Sequence, residues 1–180
     1  MDNVPRLNLH PEDHAWDPGG RRLQVRVDNK TVADLVNGRA ALDDDAFRPI
    51  FVRIMRSLVA LSELGWLPMR GHVPLVRWRP RKYNNVADHV ANHVLETRAS
   101  WTWRPVGGAC SGKASRFILC CDGGFAAERG AAASSLVDMS TEGPVLVGTR
   151  GTHMRICRSA FEAESVALDE GLQALLSVCR

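Results

Sequence analysis

The sequence predicts an α/β fold, built as one domain or at most two small ones, and three observations lead there. Of 180 residues, 45% are hydrophobic and 24% charged, a globular balance with enough apolar material for a real core. Short apolar or alternating runs read as strands, and between them lie segments whose apolar residues recur at helical spacing. These segments follow one another as β-α-α-β-α, a linker, then β-β-β-α, so strands and helices interleave. The length fits roughly 100–200 residues per domain.

Residues 1–20 read as an irregular acidic tail, with Asp2, Glu12, Asp13 and Asp17 against Arg6 alone and a turn at Pro18-Gly19-Gly20. Leu23-Gln24-Val25-Arg26-Val27-Asp28 alternates apolar and polar residues, the period of a strand, with Asp28 at its end. Residues 31–36 read as a short helix stopped by Asn37-Gly38. Asp43, Asp44 and Asp45 supply caps and negative charge for a longer helix reaching residue 64. Its Phe47, Ile50, Phe51, Ile54, Leu58 and Leu61 share one face. Residues 73–78 read as a second strand. Asn84 or Asn85 then caps a helix to residue 97, with Val86, Val90 and Val94 inward.

Residues 98–114 are rich in Gly, Ser, Trp, Arg and Pro, lack either period, and read as a linker. Within them Trp101 and Trp103 could stack on bases or pin the linker to the core, and the second reading is preferred. Residues 116–121 form a strongly apolar strand ending on Asp122-Gly123-Gly124. Strands at 131–139 and 145–150 follow, with a further piece near 152–157. The last element is a helix over 159–178 that turns Phe161, Leu168, Leu172 and Leu175 inward.

Lys and Arg number 23 against 20 Asp and Glu, a net charge of +3, too mild to demand an acidic partner. The distribution says more. Residues 66–83 carry Arg70, Arg77, Arg79, Arg81 and Lys82 with no acid, and residues 98–116 carry Arg98, Arg104, Lys113 and Arg116 likewise. Such stretches suit a phosphate-facing surface or two solvated loops. No apolar run approaches the roughly 18–20 residues of a membrane span. The first twenty residues lack the basic and apolar regions of a signal peptide. Five cysteines without framework spacing fit a reducing compartment. The expectation is an intracellular protein, of cytoplasm or nucleus, with no membrane partner.

Four acids stand out. Asp122 and Asp28 end apolar strands, where an unpaired carboxylate is costly to desolvate. Glu164 lies between Phe161 and Leu168 on the packed side of its helix. Asp88 opens the helix after Arg79-Pro80-Arg81, beside inward-facing Val86 and Ala91. Each alone has an ordinary explanation as a turn or helix-edge acid. Four together can converge, and converging carboxylates repel unless divalent cations neutralise them; oxygen-only ligation suits Mg²⁺ or Mn²⁺. Other signals are weaker. Residues 107–114 nearly spell a phosphate loop but carry Ala114 where Ser or Thr is required and precede a strand. His89 and His93 are spaced to share a metal but lack a third ligand. Cys120 and Cys121 read as core thiols.

These residues resemble a family. Cys121-Asp122-Gly123-Gly124 is similar to the first-strand Asp-Gly-Ser/Gly motif of type 1 ribonuclease H, and residues 159–168 resemble its Ala-Glu-x-x-Ala-Leu helix, placing the family's Glu on Glu164. Val25-Arg26-Val27-Asp28-Asn29-Lys30-Thr31-Val32 resembles its strand ending in Asp-Ser. Residues 79–92, with Pro80, Arg81, Asn84, Ala87, Asp88 and Ala91, resemble Pro-Arg-x-x-Asn-x-x-Ala-Asp-x-x-Ala, the longest and most specific of the four. Together they cover residues 21–97 and 115–180.

The halves, however, stand in exchanged order: in the family the Asp122-type strand and Glu164-type helix come first. The chain is then either a circularly permuted ribonuclease H-like domain, which is preferred, or the back half of one domain joined to the front half of another. A linker of about 17 residues spans roughly 55 Å extended, enough for the first. The second requires domain swapping or a companion chain.

The resemblance implies a three-layer fold, a mixed five-stranded sheet with helices on both faces, circularly permuted. It implies a metal-dependent endonuclease hydrolysing the RNA strand of RNA–DNA hybrids, with Asp122, Glu164, Asp28 and Asp88 holding two Mg²⁺ or Mn²⁺ ions and Asp122 bridging them. RNA is selected by its 2′-hydroxyls. Asn29, Arg77, Arg79, Arg81, Lys82 and Asn84 become candidate nucleic-acid contacts. A catalytically inactive nucleic-acid-binding or scaffold module is the alternative, and monomer, swapped dimer and part of a reverse-transcriptase polyprotein all stay open. Asn29 and Gly124 stand where the family favours Ser, and residues 78–83 lack the His that many relatives carry, a loss expected to slow turnover.

Overall fold

The computed structural model describes residues 5, 8–11, 22–67, 75–103, 116–139 and 143–179. Its strands are β1 (Arg22–Val27), β2 (Val76–Trp78), β3 (Trp101–Trp103), β4 (Arg116–Ala126), β5 (Arg129–Asp138) and β6 (Val145–Met154). Its helices are α1 (Lys30–Val36), α2 (Arg48–Glu63), α3 (Asn85–Thr97) and α4 (Ala160–Cys179). The strands form one mixed sheet in the order β2-β1-β4-β5-β6-β3. β1 runs parallel to both β2 and β4, and β4, β5, β6 and β3 pair antiparallel. No helix among the described residues is long and apolar enough to cross a membrane.

The strand period decides which side chain meets which layer. Leu23, Val25 and Val27 of β1 and Phe117, Leu119 and Cys121 of β4 point to one face and join the main core with α1, α2 and α4. The intervening Ile118 and Cys120 point to the other, where Ala87 of α3 covers them with Val137. Val90, Ala91 and Val94 of α3 pack on Ala131 and Ala133 of β5. Helices therefore lie on both faces. Cys120, Cys121 and Cys157 are buried free thiols, as expected of core cysteines.

Several expectations need correction. The sheet has six strands, not five, because part of the supposed linker pairs: Trp101–Trp103 lies antiparallel on β6 with Trp101 opposite Gly151. Trp101 packs on the α3–β5 cluster, so it pins this segment to the core. The rest of the linker, including the near phosphate loop at 107–114, lies outside the described residues. β6 absorbs the first part of the separate piece expected near 152–157. β2 is shorter than expected, and residues 68–74 lie outside the described part. α2 starts after a 3₁₀ turn over Asp45–Phe47, which Asp44 caps by accepting from the Ala46 N–H at 2.8 Å.

The tail is irregular as expected at residues 5 and 8–10, but it is packed against the domain. Asn8 donates from its backbone N–H to Asn85 Oδ1 (3.1 Å) and from its amide to the Lys82 carbonyl (3.0 Å). Leu9 packs near Ala87, and His10 meets Tyr83 edge-on at 4.8 Å. The acids of the tail, Asp2, Glu12, Asp13 and Asp17, lie outside the described residues.

The largest correction concerns β4, which runs through Asp122 to Ala126 instead of stopping there. Gly123 and Gly124 pair with Ala132 and Ala131, so these glycines are strand positions stripped of side chains. At Gly123 a Cβ would lie 2.2 Å from the backbone nitrogen of Glu164, so β4 and α4 touch backbone to backbone. Gly123→Ala is expected to destabilise the fold by about 3 kcal/mol, measured by urea unfolding. Gly143→Ala, where a Cβ meets nothing within 4 Å, should stay within about 0.5 kcal/mol of wild type.

Candidate metal centre

Three local features deliver the acids to one place. The parallel register of β1 and β4 sets Val27 beside Cys121, so the next residue of each strand, Asp28 and Asp122, are neighbours. Asn29 accepts from the Val32 N–H at 3.2 Å and caps α1, which turns the chain sharply after Asp28. The missing Cβ at Gly123 lets α4 close on β4 and brings the Glu164 carboxylate alongside, where the Gly123 backbone hydrogen-bonds it. Asp28, Asp122 and Glu164 can each offer one oxygen such that all lie within 4.8 Å of one another.

Asp122 is 2% exposed and Glu164 4%, and the Asp28 side chain is 7% exposed. Asp122 Oδ1 and Glu164 Oε2 have no hydrogen-bond partner. Buried polar atoms are usually paired, so two carboxylate oxygens without a hydrogen-bond partner in one cluster are free to act as ligand atoms. Burial, reinforced by the Asp28 carboxylate, pushes the Asp122 pKa up to about 8. Burial and the charge of Asp122 push Glu164 up to about 10. The donor set is all oxygen, so the centre could hold a hard divalent cation.

The fourth acid stands apart. Asp88, in the first turn of α3, is 24% exposed and lies outside the cluster. Its Oδ2 accepts from Asn92 at 3.2 Å. Arg81 connects it to the rest, with Nε 3.1 Å from Asp28 Oδ2 and 3.3 Å from Asp88 Oδ1. The structure thus gathers three of the four expected ligands and links the fourth through a guanidinium. His89 and His93 belong to no ligand cluster among the described residues.

The candidate nucleic-acid contacts divide. Lys82 is exposed, with its ammonium 4.8 Å from the Tyr83 ring centre. Arg77 and Arg79, with Lys30, Asn37 and Arg39, line a depression of about 330 Å³ beside β2. Asn29 commits its side-chain oxygen to capping α1. Asn84 is buried and donates to the Cys121 carbonyl at 2.7 Å. It locks the start of α3 to β4 and presents no surface to a nucleic acid, nor does its side chain cap α3 as expected. Two roles escaped sequence reasoning. Arg81 pairs with acids, although its basic run suggested phosphates, and Trp78 donates from Nε1 to the Asp28 carbonyl at 2.9 Å, steadying the turn after β1. No pattern of spacing signals either, because both contacts join elements some fifty residues apart.

Compared with protein families, curated proteins and solved structures, the chain finds no match.

The raised carboxyl pKa values have a definite consequence for stability. An ordinary carboxyl ionises near pH 4 in the unfolded chain, so between there and about pH 8 the folded state holds protons that the unfolded state has released. Stability then falls as pH rises. In EDTA, Asp122→Asn should gain stability relative to wild type as pH goes from 5 to 8, measured by thermal melts. A wild type that instead gains stability relative to Asp122→Asn over that range would refute the assignment.

Proposed function

We propose that the chain is a metal-dependent endonuclease that hydrolyses the RNA strand of RNA–DNA hybrids, on a ribonuclease H-like domain with its halves in exchanged order. The observation that carries this reading is the meeting of Asp28, from the first half, with Asp122 and Glu164, from the second, in one buried cluster with two orphaned oxygens. Traced from β4, the chain runs β4-β5-β6-α4 and then takes up β1, parallel to β4. That succession puts the Asp122-type strand and the Glu164-type helix ahead of the Asp28-type strand, the order in which the resembled family carries them. Convergence within one chain favours a permuted domain over two half-domains awaiting companions.

Asp28, Asp122 and Glu164 would hold the cation, with Asp88 at the rim. A divalent ion bound there supplies an activated water and offsets the charge that builds on the leaving 3′-oxygen. The residues themselves orient. Asn84 fixes the level of α3 against β4, Trp78 holds the Asp28 turn, and Asn92 aims the Asp88 carboxylate. Arg77, Arg79 and Lys82 place positive charge along the β2 edge for backbone phosphates. Discrimination of RNA from DNA rests on the 2′-hydroxyl.

A labelled RNA–DNA hybrid incubated with the protein and Mg²⁺ or Mn²⁺ should be cut in its RNA strand. EDTA or Asp122→Asn should reduce cleavage to background, while Asp122→Asn keeps hybrid binding. A folded wild type that binds hybrid without metal dependence and never cuts it would favour the inactive binding module. Arg77→Ala should weaken hybrid binding across sequences and lower the slope of log affinity against log salt by about 1, read by fluorescence anisotropy.

A further inference from the structure

The acid cluster already has a cation of its own. We propose that Arg81 stands in for the second cation of this centre: its guanidinium, held by Asp28 and Asp88 at the rim of the cluster, supplies the positive charge that a second divalent ion would bring, so the protein binds one such ion where an arginine-free centre binds two. This inference rests on the reading of the three buried carboxylates as a divalent-metal centre.

The geometry is specific. One Arg81 nitrogen lies 3.1 Å from Asp28 and 3.3 Å from Asp88, so it spans the two carboxylates, and its charge also reaches Asp122. Asp28 is the shared member, belonging both to the buried triad and to the Arg81 pair. Asp88, which the triad leaves out, has Arg81 as its cation. Four carboxylates are thereby divided into a set of three with orphaned oxygens and a pair held by a guanidinium.

The backbone presents Arg81 there. The residue begins a 3₁₀ turn, Arg81–Tyr83, whose flanks are tied to the two strands that carry the acids. The Arg79 N–H donates to the Val27 carbonyl at 2.9 Å, one residue before Asp28. Asn84 donates to the Cys121 carbonyl at 2.7 Å, one residue before Asp122. Both anchors sit at the level of the cluster, so the stem of Arg81 starts beside its targets. The planar guanidinium offers several donors in a fixed fork and stays charged at all working pH values, which suits it to hold two carboxylates at once. A second dication at the same place would meet that charge and lose Asp28 as an uncontested ligand.

The test counts ions without relying on cleavage. Metal-stripped wild type, Arg81→Ala, Arg81→Gln and Asp122→Asn would be titrated with Mn²⁺, bound ion being read by calorimetry and by the electron paramagnetic resonance of free Mn²⁺. Circular dichroism checks that each is folded, and Arg81→Gln keeps side-chain length if the alanine variant does not fold. The expected result is one Mn²⁺ per wild-type chain, two per chain in the Arg81 variants, and none in Asp122→Asn. The second ion should bind at least tenfold more tightly in the Arg81 variants than any second binding by wild type. Two ions in wild type with unchanged affinity in the variants, or one ion in all three, would overturn the role of Arg81 and leave the metal centre standing. No Asp122-dependent binding in wild type or in the Arg81 variants would overturn both.

Discussion

The contact between Gly123 and Glu164 is a backbone-to-backbone approach across the sheet–helix boundary, and much of the structure is arranged around it. A side chain at position 123 would sit inside the backbone of α4. Without one, α4 lies close enough for Glu164 to share a buried space with Asp122. The same closeness seats Leu168, Leu172 and Leu175 against the main core, so the helix that carries the buried Glu164 carboxyl also carries a large share of the packing. Apolar burial on that scale, at roughly 25 cal/mol per Å², is what can hold two carboxyls in an environment that resists their ionisation.

The opposite side of the centre follows another rule. There the chain after β2 is fixed by single hydrogen bonds to strand carbonyls instead of by apolar contact, and each bond falls one residue before an acid. Such anchoring positions the backbone while leaving the Arg81 side chain in solvent. Arg81 is 67% exposed although its turn is tied down. A rigid buried triad and a tethered but solvated arginine thus meet at Asp28.

Distance along the chain matters little to the site. β1 and β4 are neighbours by parallel pairing, not by sequence, so 94 residues separate Asp28 from Asp122 without affecting their adjacency. The connection between α3 and β4 is not all loop: its first described part is the edge strand β3, with Trp101 packed against α3 and β5. A tryptophan in a segment without periodicity gave no strand signal, because three residues are too few to show alternation.

The sequence by itself determined the α/β class, most helix positions and the faces they bury, since periodicity and caps are local properties read from spacing alone. It also singled out Asp28, Asp122 and Glu164, because an acid within an apolar run is anomalous wherever the chain goes. Tertiary structure alone decided the sixth strand, the continuation of β4 through its glycines, the buried role of Asn84 and the separation of Asp88 from the triad. Each of these depends on a partner distant in sequence. Whether a glycine ends a strand or admits a helix, and whether an arginine faces phosphate or carboxylate, is settled by what folding brings opposite it.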